Sequence, residues 1–290
     1  MPDPAGRAGL GGVGLGLRWE FLEELIARRP TALDFLEVSP ENYLKRGGYY
    51  PAALAEAASL YPVVTHGLTM SLGGTDPLDD EYLGALRTFV GEMGSPWHSD
   101  HLCFGSVGGI VLHDLLPIVF TESAVVRVAE RIARARDALG VPLAIENISF
   151  YLAPGRTSMG EAEFIARVCE RADCGLMLDV NNAYVNATNF GFDVDEWMRT
   201  VPLARVVQVH VAGHERFDEG PGGTLIVDTH GADVADPVLA LLERVLPRIG
   251  PVPVVLERDQ AIPALDGLLA EVAKIRVVYD RAMAARSAAE

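Results

Sequence analysis

Lysine is nearly missing from this chain: Lys45 and Lys274 are the two in 290 residues. Any chemistry that needs an amine at the active centre must use one of these positions. Cysteine is almost as scarce, and Cys103, Cys169 and Cys174 form an odd set without CxxC spacing. That argues against a disulfide framework and a zinc ribbon, and reads as reduced thiols. No apolar run is long enough to cross a bilayer, and the start MPDPAGRAGLGGVGLGLRWEF lacks the basic, then unbroken apolar pattern of a signal peptide. A cytoplasmic protein without a membrane partner is expected. Positive charge is the last shortage, since 24 Lys and Arg face 40 Asp and Glu for a net charge of −16. A phosphate backbone calls for a basic track, so nucleic acid is not an expected partner, whereas small molecules and neutral to basic peptides are.

What the chain does have is a repeated alternation of short apolar runs and amphipathic stretches. The runs 12–17, 33–38, 63–67, 97–103, 141–147, 175–181, 205–211 and 252–257 read as strands. The stretches 20–28, 51–60, 79–91, 121–139, 161–171, 193–199, 236–246 and 263–283 read as helices, several opened by a capping residue such as Thr121 or Asp193. Eight of each predicts an α/β fold, a (β/α)8 TIM barrel, as one domain over 1–290. A doubly wound open sheet is the structural alternative, but it would group ligands at a switch point rather than around a ring. Segments 39–50, 104–117 and 212–235 read as long loops on the strand-end face, the last Gly-rich at 220–223. The spacing of Gly12, Gly14 and Gly16 is too tight for a dinucleotide fingerprint and reads as close packing at the barrel rim.

Polar residues of metal-ligand type recur where these strands end. His66, His101 and His210 close three of them; Glu146, Asp179 and Glu257 close three more; the DTHG segment adds Asp228 and His230, and Asn182 follows Asp179. One histidine at a strand end is commonly structural or solvated. A ring of them with four acids is different, because buried ionised groups cost several kcal/mol each unless something neutralises them. Two or three metal ions would do so, and oxygen and imidazole donors without thiolate suit iron, manganese or zinc alike. Asp100 reads as an acceptor that orients His101 or as an exposed loop acid, and His98 as a packing residue on the same strand face. His113 reads as solvated, and Cys103 as core.

The ordered segments GVGLGLR, FLEVSPENYL, THGL, HSDHLCF, AIENIS, LDVNNAYVN, QVHVAGHE, VDTHG and VLERD closely resemble xylose-isomerase-like barrels, and within them the multinuclear non-heme iron-dependent oxidative enzymes. The resemblance implies metal ligation by His66, His101, Glu146, Asp179, Asn182, His210, Asp228, His230 and Glu257, with Glu146 bridging ions and Glu146, Asp179 and His210 as the catalytic set. Related endonuclease barrels carry histidine where this chain has Asn182, a weaker ligand. Arg18, Glu41, Asn42 and His214 match positions near the substrate, although capping and surface pairing explain such residues equally well.

The same resemblance implies two or three irons of mixed Fe(II)/Fe(III) valence, O2 as co-substrate, a cysteine-containing ribosomal precursor peptide as substrate, and a separate partner protein that presents it. Three other activities compete. A divalent-metal sugar isomerase would call for a lysine at the metals, and neither Lys45 nor Lys274 ends a strand. A trinuclear zinc endonuclease is opposed by the acidic charge and by Asn182. A metal-binding scaffold without catalysis is the bland alternative.

Overall fold

The computed structural model describes residues 9–218 and 224–289. Eight strands are all parallel to their barrel neighbours: β1 (Gly12–Gly16), β2 (Leu36–Val38), β3 (Val63–Gly67), β4 (His98–His101), β7 (Leu143–Glu146), β8 (Gly175–Asp179), β9 (Val206–Val211) and β12 (Pro253–Leu256). They close in the order β1-β12-β9-β8-β7-β4-β3-β2. Every strand predicted from the sequence lies in this barrel.

Helices α1 (Trp19–Arg28), α2 (Tyr49–Leu60), α3 (Asp80–Met93), α4 (Glu122–Leu139), α5 (Glu161–Ala172), α7 (Val194–Thr200), α8 (Asp236–Ile249) and α9 (Leu265–Ala289) match the predicted ones to within a few residues. Helix α4 shows why. Val125, Val128, Ile132, Ala135 and Leu139 recur every three or four residues and are buried, Thr121 caps the start by accepting from the Ala124 amide, and Gly140 ends it in the left-handed conformation. Among the described residues no helix is long and apolar enough to cross a membrane.

Strand alternation splits the core in two. Outward residues such as Leu36, Ile145, Leu178 and Leu256 join the large apolar layer shared with the helices. Inward residues Phe35, Val64, Trp97, Ala144, Met177, Val207 and Val255 pack on one another inside the barrel as a plug. Gly14 is needed at that plug, because a Cβ on it would sit 2.6 Å from the Phe35 ring. The expected close packing of these glycines is thus found within the barrel as well as at its rim.

Three segments differ from expectation. The stretch 104–117 contains a hairpin of β5 (Phe104–Val107) and β6 (Ile110–Leu116), and 212–235 contains a second of β10 (His214–Asp218) and β11 (Thr224–Asp228). Gly108 and Gly109, both at positive φ, make the tight turn of the first. The Gly-rich 220–223 lies outside the described residues. Helix α6 (Val180–Phe190) begins where the sequence suggests the strand continues. Its residues VNNAYVNATNF are modest helix formers, and Asp179 starts the helix by accepting from the Asn182 amide.

Gly14→Ala should overpack the plug and lower stability by about 1–3 kcal/mol. Urea unfolding would show this as a lower midpoint at unchanged slope.

Candidate metal centre

On five strands the residue two beyond the plug returns to the barrel axis and is polar, while on β9 a register shift brings Gln208 and His210 there instead. Phe35 is followed by Glu37, Val64 by His66, Ala144 by Glu146, Met177 by Asp179 and Val255 by Glu257. His101 lies one further period beyond Ser99 on β4. The apolar plug therefore forms the floor of a ring of acids and imidazoles at the carboxyl ends of the strands.

One donor atom from each of His66, His101 and Glu146 lies within 4.8 Å of the others, as do donors of Glu146, Asp179, His210 and Glu257, and donors of His230, Glu257 and Asp259. Glu146 and Glu257 each belong to two groups and so link them. In the first group Glu146 Oε2 is 3.1 Å from His66 Nε2 and 3.1 Å from His101 Nε2. In the second, His210 Nδ1 is 3.4 Å from Glu146 Oε1 and 3.2 Å from Glu257 Oε2. His230 Nε2 is 2.8 Å from Asp228 Oδ1, and its Nδ1 2.9 Å from Asp259 Oδ2.

The far nitrogens of the imidazoles are held. Ser99 Oγ donates to the Thr65 carbonyl, so it accepts at 3.0 Å from His66 Nδ1. The Gly67 carbonyl accepts from His101 Nδ1 at 3.1 Å. Glu37, buried against the floor, accepts from His210 Nε2 at 2.8 Å and from Gln208, whose own oxygen takes the Trp97 indole N–H. Each of these three rings thereby turns its remaining nitrogen toward the centre, the arrangement a metal-binding imidazole needs. His230 adopts φ 49°, unusual outside glycine, and is pinned by its amide to Gly213 O and by its carbonyl to the Asp259 amide.

Glu37, Glu146, Asp179 and Glu257 are all buried, and Arg18, 3.4 Å from Glu257, is the guanidinium that reaches them. Protons make up part of the shortfall. Burial opposes charge on His66, but Glu146 beside it prevails and holds the ring up to about 9. His210 and His230 are also raised against burial, chiefly by Glu37 and Glu257 for the first and by Glu257 and Asp228 for the second. Burial pushes Asp179 well above the usual carboxylate range, helped by Glu146 and Asp228.

Even so, Asp179 Oδ2 and Asn182 Oδ1 are buried without a hydrogen bond, and Glu146 Oε2, His210 Nδ1 and His230 Nε2 are met by ion-pair contacts alone. Orphaned lone pairs converging among surplus carboxylates fit a cluster of cations held by hard oxygen and imidazole donors.

A family model for the RiPP (ribosomally synthesised and post-translationally modified peptide) precursor modification enzyme MbnB/TglH/ChrH matches residues 12–280. The chain belongs to this family. It is 42% identical over 271 residues to a UPF0276 protein of Shewanella loihica, covering 93% of this chain and 95% of that one. A UPF0276 protein of Nitrosospira multiformis is 44% identical over 266 residues, 92% of each chain. Among solved structures, a xylose isomerase-like TIM barrel protein from Mycobacterium smegmatis in complex with magnesium superposes with a TM-score of 0.61 at 12% identity, covering 95% of this chain and 99% of that one. An L-ribulose 3-epimerase does so at 0.59 and 17%, covering 95% and 93%. At these identities the likeness establishes the fold.

In this MbnB/TglH/ChrH member, His66, His101, Glu146, Asp179, His210 and Glu257 meet at the ring. Asp228 reaches it through His230, and its carboxylate is held by Ser149 and Asn181. Asn182 stands on the first turn of α6, its Nδ2 donating to Asn147 O and its Oδ1 turned free.

Arg18 lies at the edge, paired with Asp259 and Glu257. Glu41 does not face the centre: it accepts from the Leu68 and Thr69 amides and the Tyr82 hydroxyl, and so braces the loop after β3. Asn42 lies in the 3-10 turn Pro40–Asn42, its amide bonded to Ser39 O. His214 is taken up by Asn181 and stacks on Tyr184.

Asp100 is buried rather than an exposed loop acid, and it accepts from the His101 backbone amide instead of its ring. His98 packs beside it, bonded to Thr65. The side chain of His113 lies outside the described residues. Sequence reasoning missed Glu37 and Asp259. The strand-alternation rule applied to β2 would have found Glu37, and the ERD that follows β12 places Asp259 two residues after Glu257.

Replacing the charged Glu37 acceptor by a neutral amide in Glu37→Gln should weaken metal binding about 10- to 100-fold while the fold is kept, measured by competition with a chelator. Because metal must displace protons from His66, His210 and His230, loading should release protons, and affinity should rise as pH increases from about 6 to 9. Titration with a divalent metal in weak buffer would show both effects.

Proposed function

We propose that this chain is a multinuclear iron-dependent oxidase that uses O2 to modify cysteine residues of a ribosomally made precursor peptide. The observation that carries the reading is the Glu146 carboxylate, whose two oxygens face different donor groups, His66 with His101 on one side and His210 on the other. In this reading His66, His101 and Glu146 would hold one ion, Glu146, Asp179, His210 and Glu257 a second, and His230, Glu257 and Asp259 would offer a third set, with Asp228 beside His230 and Asn182 a weaker candidate donor. When bound, iron would supply a Lewis acid for the substrate thiolate and electrons for O2.

The chain's own groups do the rest. The apolar plug keeps water from below, Glu37 and the Gly67 carbonyl fix the imidazoles, and Arg18 offsets the acids at the mouth. The two hairpins extend from strand ends on this face, with Val107, Ile110, Val111 and Phe217 exposed on them. Apolar side chains presented there suit a precursor peptide and a separate partner protein that presents it. The lysine that sugar isomerisation would call for is not at hand, since Lys45 pairs with Glu81 and Lys274 with Asp233, all of them largely exposed.

Protein purified anaerobically from iron-supplemented cells should contain two or three irons per chain, with coupled ferrous and ferric Mössbauer signals. Stoichiometric zinc, or one loosely held divalent ion, would overturn the reading. Glu146→Ala should lose most of the metal and all turnover while circular dichroism stays unchanged.

A further inference from the structure

A second concavity lies on the flank of the barrel, between α5, α6 and α7, with a volume of about 490 Å³. Its wall is aromatic: Phe150 is 5.0 Å from Phe190 and 6.2 Å from Phe120, and the Trp197 indole closes the far side. Among the described residues that line it there is no lysine, arginine or histidine, but there are four carboxylates, Glu161, Glu163, Asp193 and Glu196.

These four are not equally available. Glu163 already pairs with Arg167 at 2.7 Å, and Asp193 is spent capping α7. Glu161 accepts from the Trp197 indole N–H at 3.0 Å, and burial pushes it up to about 7. Glu196 is exposed at the rim and has no ion pair among the described residues. An apolar slot with one available acid at its rim suits an occupant that is both bulky and cationic.

The slot is joined to the candidate metal centre by a single loop. Asn147, next to Glu146, exchanges hydrogen bonds with the Asp179 backbone; Ser149 donates to Asp228; and Phe150, the next residue, is already part of the aromatic wall. A peptide with one residue at the centre can follow this loop outward to the slot.

We propose that this groove is a docking subsite for the precursor peptide, in which a bulky apolar side chain packs against Phe150, Phe190 and Trp197 while a neighbouring Lys or Arg pairs with Glu196. The assignment rests on the peptide-modifying reading above. It adds where the substrate is gripped away from the reacting cysteine and which residues it carries there.

The test uses the full chain labelled with ¹⁵N at its three tryptophan indoles. The probes are two synthetic peptides, acetyl-Lys-Leu-Phe-Lys-amide and acetyl-Glu-Leu-Phe-Glu-amide. The Trp197 indole signal should shift saturably with the cationic peptide and not with the anionic one, while that of Trp97, buried in the plug, stays still. Glu196→Lys should weaken the cationic probe about fivefold or more. Gly160→Leu, at a position where an added Cβ meets nothing within 4 Å, should fill the slot and abolish the shift.

A Trp197 signal that ignores both peptides, responds equally to both, or responds unchanged in both variants would overturn the proposal. The measurement needs neither iron nor turnover. Peptide binding by a protein that fails to acquire iron in the anaerobic purification would sink the oxidase alone, and a protein that acquires iron but binds neither peptide would sink the groove alone.

Discussion

Everything at the mouth of this barrel answers to one constraint: carboxylates sit on the barrel axis where water cannot solvate them. Glu37, Glu146, Asp179 and Glu257 are each at most 7% exposed, and an isolated ionised carboxylate in such a place costs several kcal/mol. The surroundings supply part of the compensation. Imidazoles stand beside the acids, Arg18 reaches in from the rim, and Asp179 spends one oxygen on the start of α6 while leaving the other free. What remains is a surplus of negative charge and unpaired donors that suits a cluster of cations. The proposed cluster is, on this view, as much a structural requirement of the sequence as a functional one.

The same constraint explains which parts of the site were legible in the sequence. A strand buried on both faces reads as an unbroken apolar run, so an acid or histidine that ends one stands out, and Glu146, Asp179, His210 and Glu257 could be picked out in that way. Alternation along β2 puts Glu37 on the inner face, but what it does there depends on His210, 173 positions away and across the barrel. Glu41, close by in the same motif, looked equally suited to substrate but faces amides of a loop that only the folded chain brings near. Helix α6 was hidden by asparagines that favour turns and caps over helix interiors. The first hairpin had a signal in Gly108-Gly109 between apolar runs, which segment length alone masked as a loop.

Position in the fold also separates rigid from variable duties. The ring of donors stands on strand ends or immediately after them, backed by the plug, where side-chain placement is set by close packing. The residues offered to a peptide stand on the hairpins, which can vary without disturbing the barrel, on α6 and α7, and on the loop after β7. That loop serves both duties, because Asn147 and Ser149 brace the donors while Phe150 faces outward to the flank. Pull on the groove would therefore be felt first at Asp179 and Asp228, the acids this loop touches.

The donor chemistry bears on why a thiol would be the substrate. Every group at the centre is an oxygen or an imidazole, and the chain's own sulfur is kept away. Cys103 follows His101 by two residues, yet the backbone turns there, its amide bonding back to the His101 carbonyl, and the side chain goes into the core. Burial pushes that thiol well above its usual range, and its side chain packs in the apolar layer and not in the ring of donors. Cys169 and Cys174 are likewise buried and free. Because the described donors include no sulfur, any thiolate at the proposed cluster would have to arrive from outside. In the proposed reading selectivity for cysteine thus comes from what the chain withholds from the centre, and selectivity for a particular peptide from the surfaces around it.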